Sequence, residues 1–231
     1  MVFDKAIIES NNEKKIESAI FDLDGTLLDT SEGIISSVQK VIDHFGYDEL
    51  DEEGFRGFIG PPINRHLKKV FGISDEESIV AMNYFRQEYI KGDIYRAKVY
   101  PGLAELLKKL RESGYKLGVA TYKREDQAIS LLEEKGLAPL FDVIHGSDKE
   151  ARLSKTEVVE LTMKDLGSTP EETVMIGDSD NDAIGAEEAG AMFIGVTYGF
   201  GFRDRNDIMK FRRIGIADSC EEIYRIISAY R

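Results

Sequence analysis

Two acidic clusters and two isolated polar residues hold the chemistry open to this chain. Asp22 and Asp24 stand two apart at the end of the apolar run "SAIFDLD" (18–24), directly before Gly25-Thr26. Residues two apart on a strand project from the same side, so both carboxylates can face one cavity at the strand's carboxyl end. Carboxylates that close repel each other, and a divalent cation beside them relieves the repulsion. Gly25 lets the chain turn sharply, and Thr26 adds a hydroxyl and an N–H. A solvated acidic junction between strand and loop satisfies the same spacing, which does not separate the two readings. The second cluster, "MIGDSDNDAIGA", sets Asp178, Asp180 and Asp182 just after another apolar run. Capping of the next helix explains Asp180 or Asn181, but not Asp178 at the strand tip as well. Two acidic strand tips in one parallel sheet can converge on one hard cation, and oxygen-only donors favour Mg²⁺. Thr121 ends the run "KLGVAT" and Lys155 opens "SKTEVVEL". Alone, they read as a β-branched strand residue and a solvated helix residue.

These residues need a scaffold that brings distant strand tips together. The runs "SAIFDLD", "YKLGVAT" (115–121), "FDVIHGS" (141–147), "TVMIGD" (173–178) and "AMFIGVTYG" (191–199) are short, nearly unbroken and bounded by Gly or polar residues. Strands buried on both faces of a parallel sheet read this way. Between them, Leu103, Leu106, Leu107 and Leu110 form a helical stripe ending near Gly114, and "SKTEVVELTMKDLG" has Ser154 as N-cap and Gly167 as its stop. Alternating strands and helices predict an α/β fold: a doubly wound parallel sheet with ligands at the strands' carboxyl ends. From Ser31 to Lys98 the alternation stops. Ile34, Ile35, Val38, Val41, Ile42 and Phe45 line one helix, and Ile79, Met82, Phe85 and Tyr89 another. Residues 31–98 are therefore expected to form an inserted α-helical cap domain over a core of 1–30 and 99–231, with Tyr100-Pro101-Gly102 marking the return. Residues 1–17 are expected to be a flexible lead-in.

The formal net charge of −13 is the opposite of a nucleic-acid footprint. A small anionic substrate then requires local positive charge or a metal. No apolar run approaches the roughly 18 residues that span a bilayer, and the start has no secretory signal pattern. A single cysteine, Cys220, fits a reducing, cytoplasmic setting. His44, His66 and His145 lack metal-ligand spacing and read as structural or solvated.

Taken in order, Asp22-Leu23-Asp24-Gly25-Thr26, Thr121, Lys155 and Gly177-Asp178 with Asp182 resemble the four motifs of the haloacid dehalogenase superfamily of phosphohydrolases. The resemblance spans roughly residues 18–230 and places the helical insert where that family carries its cap. "FIGPPI" (58–63), "YPGLAELLKKL" and "FDVIHGSD" are similar to the phosphoglycolate-phosphatase-like branch. Tyr122 stands where a small residue is more typical, and Ser179 where the phosphoglycolate enzymes often carry a basic one. The resemblance implies a phosphatase acting on a small phosphorylated metabolite through an aspartyl-phosphate. It makes Asp22 the nucleophile, Asp24 the acid and then the base, Thr121 a donor to the phosphoryl oxygens and Lys155 the charge balance. Asp22, the backbone carbonyl of Asp24, and Asp178 are the implied Mg²⁺ ligands, with Asp182 in support. Arg65, Lys123 and Thr26 are candidates for substrate binding. A 5′-nucleotidase, a pyrophosphatase or a sugar-phosphate mutase using the same intermediate stays open, as does, more remotely, a non-catalytic phosphate-binding protein. Neither monomer nor homodimer is indicated.

Overall fold

The computed structural model describes residues 15–149 and 152–230. Its centre is a six-stranded parallel sheet in the order β5-β4-β1-β6-β7-β8, made of β1 (Ser18–Phe21), β4 (Lys116–Arg124), β5 (Val143–Ser147), β6 (Thr173–Gly177), β7 (Met192–Val196) and β8 (Gly215–Ala217). The chain runs from β1 outward through β4 and β5, then crosses to β6 and continues to β8. β1 is therefore the strand at which the winding reverses, where α/β sheets open a crevice at their carboxyl ends. Register makes that crevice acidic. Phe21 is level with Val119 of β4 and Ile176 of β6, so Asp22 follows at the level of Ala120 and Gly177, one residue before Thr121 and Asp178.

Helices cover both faces, and so the strand centres are apolar. Ala19 and Phe21 pack with α5 (Leu103–Glu112), α6 (Glu125–Glu134) and α10 (Cys220–Ser228), while Ile20 packs with α7 (Lys155–Leu166), α8 (Asp180–Glu188) and α9 (Arg205–Met209). The α7 start is as expected from sequence, with the Ser154 hydroxyl accepting from the Glu157 N–H. Three expectations need correction. β4 does not end at Thr121 but continues to Arg124 across a register irregularity after Ala120. The sheet gains β8, a three-residue edge strand too short to show as an apolar run. The lead-in does not reach Glu17, because Ile16 is buried and the N–H groups of Ile16 and Glu17 donate to Tyr230 and Glu172 carbonyls. Residues 1–14 lie outside the described residues.

Between β1 and β4 the chain forms a helical block of α1 (Ser31–Phe45), α2 (Glu52–Arg56), α3 (Ile63–Phe71) and α4 (Asp75–Ile90). Its two connections to the sheet are joined: β2 (Leu28–Asp29) pairs antiparallel with β3 (Lys98–Val99). α1 buries Ile34, Val38, Val41 and Ile42, as its spacing predicts. α4 buries Met82, Phe85 and Tyr89 as expected, but not Ile79. Ser78, Ala81, Met82, Phe85 and Tyr89 point inward, and Ile79 is 49% exposed. Asp29 accepts from the Ser31 N–H and hydroxyl and so shapes the entry to α1. Among the described residues no helix is long and apolar enough to cross a membrane.

Candidate active site

Asp22 leaves the tip of β1 into a site where it is 5% exposed. Lys155, first residue of α7, crosses over β1 to place its Nζ 2.6 Å from Asp22 Oδ1 and 2.8 Å from Asp182 Oδ1. Two features fix this lysine. The Tyr122 hydroxyl accepts from the Lys155 backbone N–H (3.1 Å), and Gly185 leaves room for the Lys155 stem, whose Cγ would lie 2.7 Å from a Cβ there. Tyr122, unusual in the sequence pattern, thus anchors the start of α7. Burial alone would depress Lys155, but Asp182 and Asp22 outweigh it and hold the ammonium above its ordinary range. Asp182 is the third residue of α8 rather than its cap. Its Oδ2 accepts from the Ser179 N–H (3.0 Å) and hydroxyl (2.7 Å), leaving Oδ1 for Lys155.

Asp24 is separated from this cluster by its partner. Lys123 Nζ lies 3.1 Å and 3.2 Å from the two Asp24 carboxylate oxygens and donates to the Tyr89 hydroxyl of α4 (3.3 Å). Lys123, expected to meet substrate, is thus buried against Asp24. The carboxylate raises it above its usual range despite burial. Thr121 is buried, and its hydroxyl accepts from the Lys123 N–H. The Thr26 hydroxyl is buried without a hydrogen-bond partner among the described residues, whereas its N–H donates to the Leu23 carbonyl.

A cavity of about 80 Å³ lies between the helical block and Asp24, Tyr122 and Lys123. Arg65 is not on it. The side chain is exposed on α3, and its neighbour Asn64 faces the cavity instead. One residue along a helix turns a side chain by about 100°, so the expected cation lands on the wrong face. The histidines are elsewhere: His44 stacks on Tyr84, His66 meets the edge of Phe58, and His145 lies between Glu125 and Asp165.

Asp178 completes the site through a loop that the sequence reading did not single out. After β7 the chain passes through "TYGFGF" (197–202), and the N–H groups of Phe200 (2.7 Å) and Gly201 (3.0 Å) donate to Asp178 Oδ2. Two glycines two residues apart after a strand, Gly199 and Gly201, were the available signal. Close approach also explains Gly25. It has φ +86°, and a Cβ there would lie 2.3 Å from Asp178 Oδ2. Gly25→Ala is expected to displace Asp178 and reduce kcat/KM by about tenfold or more, since both strain and clash apply; wild-type kinetics in that variant would refute the close packing.

Asp22, Asp178 and Asp182 each present a carboxylate oxygen, all within 4.8 Å of one another and all buried. Burial, only partly offset by Lys155 and reinforced by neighbouring carboxylates, pushes Asp22 up to about 8. Burial and Asp182 push Asp178 to about 7 against its two N–H donors. One ammonium does not balance three buried acids. An all-oxygen donor set with surplus negative charge fits a hard divalent cation such as Mg²⁺.

The comparisons agree with this geometry. Residues 19–196 match the family model described as haloacid dehalogenase-like hydrolase. A 5′-nucleotidase of Pseudomonas aeruginosa is 36% identical over 186 residues, covering 80% of this chain and 84% of that one. A pyrophosphatase of Bacillus pumilus is 33% identical over 204 residues (86% and 93% of the two chains). A protein of Mycobacterium tuberculosis named a tyrosine-protein kinase is 35% identical over 80% of this chain, which spans only 63% of that relative. The crystal structure of a predicted phosphatase from Clostridium acetobutylicum superposes with a TM-score of 0.87 at 33% identity, covering 93% and 99% of the two chains. A six-stranded parallel sheet, acids at the tips of β1 and after β6, and a family match over most of its length make this chain a phosphatase of the haloacid dehalogenase-like hydrolase family.

Proposed function

We propose that the chain is a Mg²⁺-dependent, cytoplasmic phosphatase that hydrolyses a small phosphate monoester through an aspartyl-phosphate on Asp22, with phosphoglycolate-like esters as the first substrates to test. The observation that carries this reading is the division of labour between two acids two residues apart. Asp22 meets Lys155 within the acidic cluster, while Asp24 is held apart by Lys123. An Asp22 oxygen attacks phosphorus, forming the acyl-phosphate bond as the ester P–O bond breaks. Asp24 gives its proton to the leaving oxygen. It then takes a proton from water as that water attacks phosphorus, and Asp22 is released with inorganic phosphate. Thr121 and Lys155 supply fixed donors and positive charge for a reaction governed by positioning and electrostatics. Asp22, Asp178 and the Asp24 carbonyl, supported by Asp182, would hold Mg²⁺, which screens the anionic nucleophile from the anionic phosphate.

Residues 31–98 serve as a cap hinged at the β2–β3 ribbon, excluding water when closed and selecting the leaving group. The relatives' names support hydrolysis of small phosphate compounds, with nucleotides and pyrophosphate as alternatives to phosphoglycolate. The test is release of inorganic phosphate from p-nitrophenyl phosphate, 2-phosphoglycolate, nucleoside monophosphates, hexose phosphates and pyrophosphate, with and without Mg²⁺. No release from any of them in Mg²⁺ would sink the reading. Asp24→Asn is expected to slow both chemical steps by about 10²- to 10⁴-fold, the usual range for a lost acid–base group. Rapid-quench kinetics with normal breakdown of the phosphoenzyme would remove Asp24 from that role.

A further inference from the structure

Arg56, the last residue of α2, reaches from the helical block to the loop that holds Asp178. Its Nε donates to the Phe200 carbonyl (3.0 Å) and its Nη2 to the Gly199 carbonyl (3.4 Å). The Gly199 carbonyl and the Phe200 N–H belong to one peptide group, as do the Phe200 carbonyl and the Gly201 N–H. Those two N–H groups are the ones that donate to Asp178 Oδ2. Each of two consecutive peptides therefore has a guanidinium at its oxygen end and a buried carboxylate at its hydrogen end. Linked hydrogen bonds of this kind polarise one another, so the outer pair strengthens and orients the inner one. The loop is held at its ends by the Phe202 N–H on the Asp178 carbonyl (2.8 Å) and the Tyr198 hydroxyl on the Thr26 carbonyl (3.2 Å), but between them Gly199 and Gly201 carry no side chains. Glycine is also required there: a Cβ on Gly199 would lie 2.3 Å from Asp178 Cβ, and one on Gly201 2.7 Å from the Asp178 carbonyl oxygen.

We propose that Arg56 is a positioning residue that couples the helical block to Asp178 through these two peptides, so that movement of the block changes how firmly Asp178 is held. This rests on the reading of Asp178 as a metal ligand. Because Arg56 is exposed, releasing its two carbonyls strands no buried charge. The clasp can open and close with the block at small energetic cost. Glu53 and Arg203 form a second ion pair between the same two segments without touching the peptides on Asp178, and so provide the control.

Three measurements on the full chain decide the matter. Amide hydrogen exchange at Phe200 and Gly201, without metal, is expected to rise about tenfold or more in Arg56→Ala if the clasp protects them. It should recover in part in Arg56→Lys, which keeps a donor, and stay at the wild-type level in Glu53→Gln. Mg²⁺ titration followed by thermal shift is expected to need about tenfold more Mg²⁺ in Arg56→Ala, the lower end of the cost of losing an outer partner of a metal ligand. At saturating Mg²⁺ its kcat should stay within about twofold of wild type, the split expected when an interaction outside the transition state is lost. Unchanged exchange in Arg56→Ala, or an equal rise in Glu53→Gln, overturns the clasp. Faster exchange with an unmoved Mg²⁺ midpoint overturns the coupling. A wild type that ignores Mg²⁺ would refute the metal reading and this coupling together, while the exchange data would still decide the clasp.

Discussion

Replacing Asp22 by Asn is expected to lower turnover by about four orders of magnitude or more, the scale of losing a covalent nucleophile, while the fold persists. The size of the loss follows from geometry. Asp22 alone joins a strand-tip carboxylate to Lys155 at 2.6 Å, and Asp24, two residues on, is held by Lys123. No second acid stands in the same place to substitute. Stability should move the other way or not at all. Burial lifts the Asp22 carboxyl to about 8, so the neutral amide is close to the form that burial favours, and Lys155 keeps Asp182 as its partner. Steady-state kinetics and thermal melting in chelator, on one preparation, check both halves. Turnover within about tenfold of wild type would exclude attack by Asp22, and a collapse in melting temperature would mean that the loss of activity reflects unfolding.

The legible part of this protein was the part written locally. The five longer strands show as nearly unbroken apolar runs because helices cover both sheet faces, and Asp22 and Asp178 show as acids at the ends of two of those runs. The α1 stripe and the Ser154 cap are likewise matters of spacing within a few residues. What escaped depends on partners far apart in sequence. Lys123 could be assigned to a substrate anion only because Asp24, 99 residues earlier, cannot be paired with it by pattern. The role of Tyr122 depends on a backbone N–H 33 residues later, and that of Arg56 on carbonyls 143 and 144 residues away. Arg65 illustrates the other limit. It was nominated from its place just past the turn before α3, yet its side chain is exposed and that of its neighbour Asn64 lines the cavity. In α4, Ile79 alone of the four expected residues lies off the buried face, where Ser78 sits instead.

Lys155→Met is expected to produce the second large effect, and its pH dependence separates an electrostatic cause from a packing one. The substitution keeps most of the stem's volume and removes the ammonium that faces both Asp22 and Asp182. Activity should fall by about 10²- to 10³-fold, as when one fixed donor to developing charge is lost. In chelator at pH 8 the variant should also be less stable by about 3–5 kcal/mol, the cost of leaving buried charge without its partner. The sign of the pH dependence follows from Asp22 and Asp178, raised to about 8 and about 7 in the folded chain, against about 4 for an unfolded aspartate. Across that window the folded state binds protons that the unfolded state does not, so stability falls as pH rises. Lys155 is one of the groups pulling both values down. Its removal must widen the window, and the variant's deficit should shrink from pH 8 to pH 6. Mg²⁺ should shrink it too, by supplying the missing positive charge to the same oxygens. Denaturant unfolding at the two pH values, with chelator and with Mg²⁺, provides the check. A deficit equal under all conditions would assign the loss to packing and remove Lys155 as the counter-charge of the acidic cluster.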